Sequence, residues 1–142
     1  MTLPLDCAPR AIERQKGRAP RIGTIKNYPA TGMMTGCGNS YFHFPHQAAS
    51  DTSLVFIAPG DGNFAWMSLD GRDTRLSLVK ATTWYEKEAG VKWRRDYRAG
   101  MTLISTVSVH DESDVDEPVR MTITVRRGRA ARTVRVVGSA DC

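Results

Sequence analysis

The sequence of 142 residues lacks several features by which function is commonly recognised. It has no apolar run near the ~20 residues that a membrane-spanning helix requires. It has no basic start followed by an apolar stretch, which would indicate a secretory signal peptide. A GxSxG motif, a CxxC pair and a glycine-rich phosphate loop before a helix are also missing. These absences disfavour a membrane protein, a serine hydrolase, a zinc ribbon and a nucleotide-binding enzyme, and we predict one domain without a cofactor.

Positive charge is concentrated near the N-terminus. The net charge is +5, and residues 1–32 hold six basic and two acidic residues, so most of the excess lies there. We predict a basic arm over residues 1–38, with a short helix at residues 9–17 or irregular chain, followed by a β domain over residues 39–142. A basic arm is typical of proteins that bind nucleic-acid phosphates. A solvated terminal segment explains the same charge more simply, so we regard nucleic acid as the less favoured partner.

From residue 39 onward the sequence consists of short strand-like segments separated by turn residues. The steps Asp61-Gly62 and Asp70-Gly71 are typical of hairpin turns rather than ligand loops, because glycine tolerates the positive φ that such turns need. The pattern predicts an all-β fold, namely a small antiparallel barrel or sandwich of seven or eight strands. The predicted strands are residues 40–45, 53–58, 64–69, 74–82, 91–97, 101–110, 118–127 and 131–137, with a further short one at 22–25.

Basic and acidic residues cluster in the second half of the chain. Alternation along the last predicted strands lets Arg120, Arg126, Arg132 and Arg135 share an exposed face, with Arg94, Arg95 and Arg98 nearby. Such a face, close in sequence to several aromatic residues, is suited to RNA or an anionic polymer. It is equally suited to pairing with the acidic residues 111–117, which lack the spacing of a calcium loop. Outward arginines on edge strands also discourage aggregation between sheets, and we favour these structural roles over nucleic-acid binding.

Three histidines, His43, His46 and His110, raise the alternative of a small metal-dependent enzyme. A spacing of three along a strand places His43 and His46 on opposite faces, and Pro45 perturbs the geometry further. We therefore predict no metal site, no catalytic residue and no enzymatic activity.

The three cysteines are Cys7, Cys37 and Cys142. A cysteine at the last position has no core to fill, and a bond that ties down the terminus gives it a purpose. We predict a disulfide between Cys37 and Cys142, with Cys7 free or paired with another molecule, in an oxidising compartment. Three reduced thiols in a cytosolic protein are the alternative.

The stretches "LDGRDTRLSLVKATTWY" and "YRAGMTLI", with the closing cysteine, resemble the exported inhibitors of C-type lysozyme. The resemblance covers residues 64–105 with Cys37 and Cys142. It implies an eight-stranded barrel in the periplasm or outer membrane, with a disulfide from an early strand to the C-terminus. The Ser-Gly-x-x-Tyr loop of that family is replaced here by residues 81–85, so only Thr83 and Tyr85 correspond, and its Tyr-x-Cys is missing.

These observations together predict a non-enzymatic binding or inhibitory module that is periplasmic or secreted. Its partner is expected to be a protein, such as a lysozyme or another component of the cell envelope. The binding surface is expected at an exposed loop over residues 82–90, because aromatic residues supply the large anchors of interfaces. The predicted binding residues are Thr83, Trp84, Tyr85, Trp93 and Arg95. The alternatives are a basic-arm polyanion-binding domain and the metal-dependent enzyme.

Overall fold

The computed structural model describes residues 18–27, 40–45, 53–59, 63–86, 90–110 and 119–140. Every regular element in this part of the chain is a β-strand, which confirms the all-β prediction. The helix predicted at residues 9–17 lies outside it. The strands are β1 (Ile22–Gly23), β2 (Ser40–His43), β3 (Leu54–Ala58), β4 (Phe64–Leu69), β5 (Arg72–Glu86), β6 (Gly90–Ala99), β7 (Thr102–His110), β8 (Val119–Arg127) and β9 (Ala130–Ala140).

Eight of these strands form a closed antiparallel barrel. Neighbouring strands follow the order β4-β3-β2-β9-β8-β7-β6-β5, and the pairing of β5 with β4 closes the sheet. Strand β1 is an addition to this barrel, because it pairs with the end of β4 beside β3. Of the two predicted architectures, the barrel is therefore the correct one.

Glycine-containing turns join consecutive strands of the barrel. Asp70 and Gly71 connect β4 to β5 with φ angles of 52° and 79°, so the hairpin predicted at this Asp-Gly step is confirmed. Gly100 and Gly128 begin two further two-residue turns with φ angles of 60° and 61°. The other step, Asp61-Gly62, lies outside the described residues. Short turns of this kind fix the register of each hairpin.

The barrel interior holds the main hydrophobic core. Phe56 lies at its centre and makes edge-to-face contacts with Phe42 and Tyr97, whose ring centroids are 6.0 Å and 5.7 Å away. All five residues of β3 are buried, as expected for the apolar run that forms it. Burial of such side chains contributes about 25 cal/mol per Å² of apolar surface, which makes this interior the main source of stability.

Gly138 permits the closure of the barrel between β9 and β2. It lies opposite Phe42, and a Cβ atom at this position would overlap the carbonyl oxygen of Tyr41 and approach Cδ1 of Phe42 to 2.8 Å. Because only glycine lacks that atom, only glycine lets the two strands approach this closely.

Residues 18–27 pack against the outside of the barrel. Ile25 is buried against Leu54 and Ile57 in a second, smaller core on the outer face of β3. Two aspartates anchor this segment by accepting hydrogen bonds from its backbone amides. Asp70 Oδ1 accepts one from the Arg21 amide at 2.8 Å. The Asp73 carboxylate accepts two more, from the amides of residues 26 and 27. This portion of the predicted basic arm is thus bound to the barrel.

Candidate binding site at the barrel mouth

The hairpin of β5 and β6 extends past the end of β4. Among the described residues, the hydrogen bond from Leu78 N to Asn63 O, at 3.0 Å, is the last one between β5 and the chain leading into β4. A bulge at Val79 follows, and the rest of β5 pairs with β6 alone within the described part of the chain. Lys80, Thr82 and Thr83 are exposed there. The hairpin therefore extends one end of the barrel beyond β4, and we call this end the mouth.

Strand β6 places three large side chains on its interior face. Tyr97 is 1% exposed and belongs to the main core, and Trp93 and Arg95 precede it at spacings of two, which puts them on the same face. Trp93 and Arg95 are only partly buried because they lie towards the mouth. Arg95 makes a side-chain hydrogen bond to Tyr97. The interior of the barrel is thus continued to the mouth by a tryptophan and a guanidinium.

Strand β7 leaves room for these side chains. Ser108, Thr106 and Ile104 are the register partners of Trp93, Arg95 and Tyr97, and all three are buried. Thr106 Oγ1 donates a hydrogen bond to the backbone oxygen of Arg95 at 3.2 Å. A large residue on one strand therefore faces a smaller one on the next, which is how a close-packed interior accommodates both.

Burial raises the pKa of the Tyr97 phenol above its usual value of 10.0, and the charge of Arg95 and its hydrogen bond act in the opposite direction. The phenol is consequently protonated at neutral pH.

The predicted binding residues fall on this hairpin, but not in a loop. Thr83, Trp84 and Tyr85 belong to β5 and pair with Trp93, Lys92 and Val91 of β6, so the prediction of an exposed loop from residue 82 is wrong. The run of Thr, Trp and Tyr favours a strand. Only residues 87–89 remain between β5 and β6. Thr83 is exposed opposite Trp93. For Trp84 and Tyr85 the structure describes the backbone only.

The mouth site consists of Thr83, Trp93 and Arg95, with Tyr97 and Thr106 beneath them. Sequence reasoning found the first three and missed the two supporting residues. The signal was present in "VKWRRDY", because residues 93, 95 and 97 share one face of a strand. The arrangement offers an aromatic surface, a hydroxyl and a cation that is held in place, a combination suited to binding a partner.

The arginines divide between the two faces of the sheet. Arg120, Arg126 and Arg135 lie on the outer face, but Arg132 pairs with buried Val125 and belongs to the opposite face, so the four do not share one face as predicted. On β6, Arg94 and Arg98 are exposed on the outer face, whereas Arg95 is turned inwards.

The described residues contain no cluster of metal-ligating side chains. His43 is 8% exposed, and its Nδ1 lies 3.1 Å from Ser53 Oγ, so it belongs to the barrel wall. His46 lies outside the described residues, and only the backbone of His110 is described. All three cysteines and the acidic residues 111–117 also lie outside, which leaves the predicted disulfide a prediction.

Comparison with family models, curated proteins and solved structures found no match for this chain. The residues that the structure describes include no helix with the length and hydropathy needed to cross a membrane. The class that these observations define is a closed antiparallel β-barrel with an extended hairpin at its mouth. Any function has to be argued from the chemistry of that hairpin.

Proposed function

We propose that this protein is a non-catalytic binding module whose partner docks on the mouth site. The observation that carries the proposal is that Trp93 and Arg95 are partly exposed at the mouth, beside exposed Thr83, on a hairpin that extends past β4. Tryptophan and arginine are enriched among the residues that dominate the binding energy of protein interfaces.

Preorganisation strengthens this choice of site. Arg95 is held by its hydrogen bond to Tyr97, and its backbone is fixed by Thr106. Side chains that are ordered before binding lose less conformational entropy when the partner arrives. A site built on paired strands also holds its geometry better than one built on a loop.

The partner that we propose is a C-type lysozyme, with the protein acting as an exported inhibitor. The closed eight-stranded barrel supports this, because it is the fold that the sequence resemblance implies. Thr83, which corresponds to the hydroxyl residue of the inhibitory loop in that family, is exposed at the mouth. Its neighbour Tyr85 follows two residues later on the same strand.

The strand register supports the disulfide that an exported protein would carry. Ser40 of β2 is paired with Ala140 of β9. Cys37 precedes Ser40 by three residues and Cys142 follows Ala140 by two, and a chain spans up to about 3.5 Å per residue. The pairing of Ser40 with Ala140 therefore supports the proposed bond, although both cysteines lie outside the described residues.

The test is inhibition of a C-type lysozyme, followed as the clearing of a bacterial cell-wall suspension. We expect the wild-type protein to inhibit and Thr83→Glu to weaken inhibition at least tenfold. Thr82→Glu is the matched control, because Thr82 is also exposed but pairs with Arg94 on the outer face. It should inhibit like the wild type. Absence of inhibition by the wild type, or equal losses in the two variants, would contradict the proposal.

The compartment is tested separately by intact mass under denaturing, non-reducing conditions, followed by a peptide map after alkylation. A peptide linking Cys37 to Cys142 is the expected result. Three alkylated thiols in protein prepared without reductant from an oxidising compartment would argue against export, whatever the outcome of the inhibition assay.

A further inference from the structure

The outer face of β7 carries apolar side chains, although this face is turned away from the barrel interior. Leu103, Val107 and Val109 alternate with the buried residues of the strand, with Ser105 as the one polar residue in this row, and Leu103 is 43% exposed. Val79, in the bulge of β5, is 59% exposed and lines the same depression as Leu103. We call Val79, Leu103, Val107 and Val109 the apolar strip.

Positive charge flanks the apolar strip on both sides. Leu103 lies between Arg98 of β6 and Arg126 of β8. Val109 lies between Lys92 and Arg120 in the same way. The basic rim formed around the strip consists of Lys92, Arg94, Arg98, Arg120, Arg126 and Arg135.

Within the described strands that carry the rim, acidic residues are scarce; the acidic residues 111–117 lie outside the described part of the chain. Asp96 is the one acidic residue in the sequences of strands β6 to β9, and it is paired with Arg94 at 3.1 Å. Like charges gathered on one face repel each other unless a partner of opposite charge neutralises them. The rim therefore favours an acidic partner.

Two depressions give the strip its shape. One, of about 420 Å³, is lined by Val79 and Leu103, by Asp96 with its partner Arg94, and by Arg98 and Arg126, among others. The other, of about 570 Å³, is lined by Val107, Val109, Lys92, Arg120 and Arg135. The row from Leu103 to Val109 is about 20 Å long, and β6 and β8 are about 10 Å apart. These dimensions match one α-helix of about 13 residues.

We propose that the apolar strip and the basic rim bind an acidic amphipathic helix of a partner protein. Apolar side chains of the helix would cover Leu103, Val107 and Val109, and its carboxylates would pair with the arginines on either side, as in other helix-in-groove complexes. The strip is aliphatic, whereas single-stranded nucleic acid is bound by stacking on aromatic side chains. This surface is separate from the mouth site and does not depend on its proposed function.

The test uses a fluorescein-labelled 14-residue peptide with leucines at helical spacing and glutamates elsewhere, titrated with the full chain and followed by fluorescence anisotropy. We expect saturable binding that weakens as salt increases. Leu103→Ser should weaken it about tenfold, and Arg98→Glu with Arg126→Glu should abolish it. Arg132→Glu is the matched control, because Arg132 is exposed on the opposite face of β9. Thr83→Glu should also bind normally.

Three results would overturn the proposal. One is that a peptide with serine in place of leucine, or a single-stranded oligonucleotide, binds as tightly as the leucine-containing peptide. Either result would show that the rim binds polyanions in general. Another is self-association in sedimentation velocity that disappears in Leu103→Ser, since it assigns the strip to a second copy of the chain. The last is absence of saturable binding by the wild type.

Discussion

Strands β7 and β8 are neighbours with the same length and opposite arrangements of polarity. In β8 the inward residues Met121, Ile123 and Val125 are apolar and buried, and arginines and threonines face outwards. In β7 the inward row is mostly hydroxyl residues, Thr102, Thr106 and Ser108, and the outward row is mostly aliphatic. Strand β8 follows the usual rule of a barrel that is apolar inside, and β7 reverses it.

The difference shows that side-chain volume decides which face of β7 is buried. Trp93, Arg95 and Tyr97 of β6 fill the space beside β7, so its inward positions have to be small. Two of the three hydroxyls have hydrogen-bond partners: Thr102 Oγ1 accepts a hydrogen bond from Arg127 Nε at 3.1 Å, and Thr106 Oγ1 donates one to Arg95 O. Buried polar groups with such partners cost little.

The largest effect that distinguishes the two strands is expected at Ile123. Its side chain is fully buried in the main core, and Ile123→Ala should reduce the free energy of unfolding by about 3 kcal/mol, through lost transfer energy and the cavity left behind. Urea unfolding measures this loss. Thr122→Ala, on the outer face of the same strand, is the control, with a change within about 0.5 kcal/mol. A loss below about 1 kcal/mol at Ile123 would mean that β8 does not face the core.

Two substitutions, one on each face of β7, test whether its hydroxyl row or its aliphatic row faces the interior. Thr106→Val removes the hydroxyl that donates to Arg95 O, and we expect a loss of about 1 kcal/mol. Val107→Thr places a hydroxyl on the outer face and should change stability by less than about 0.5 kcal/mol. Both are measured by urea unfolding. If Val107→Thr were the more harmful of the two, the aliphatic row of β7 would have to face the interior.

The same contrast explains how much of the molecule was predictable. The bounds of β4 and the turn at Asp70 and Gly71 follow from local turn chemistry and apolar runs. The extension of β5 beyond residue 82 depends on pairing with β6. The residue pattern of one strand does not reveal which strand pairs with it. The orientation of β7 depends on residues of another strand. The hydrogen bond by which Asp70 anchors residues 18–27 could not be predicted either, since its partner Arg21 lies 49 residues away in the sequence.

A smaller effect is expected at alkaline pH from Tyr97, the residue that faces Ile104 of β7. Its pKa is raised in the folded state by burial, so the folded chain keeps the phenolic proton to higher pH than the unfolded chain. The contribution to stability is complete below the usual pKa of 10.0 and is lost as pH rises through the folded pKa. Between about pH 9 and pH 11, Tyr97→Phe should therefore lose less stability than the wild type. Equal losses in urea unfolding would show that the phenol reaches solvent.

The smallest effect is expected at Leu103, and it separates burial from binding most directly. Because Leu103 is 43% exposed on the outer face of β7, Leu103→Ser should leave the free energy of unfolding within about 0.5 kcal/mol of the wild-type value. An aliphatic row that contributes so little to folding is available for contact with a partner, and the same variant should lose affinity for the acidic peptide. A loss of stability as large as that of Ile123→Ala would instead show that another part of the chain covers the apolar strip, since only a side chain removed from water by folding contributes that much to stability.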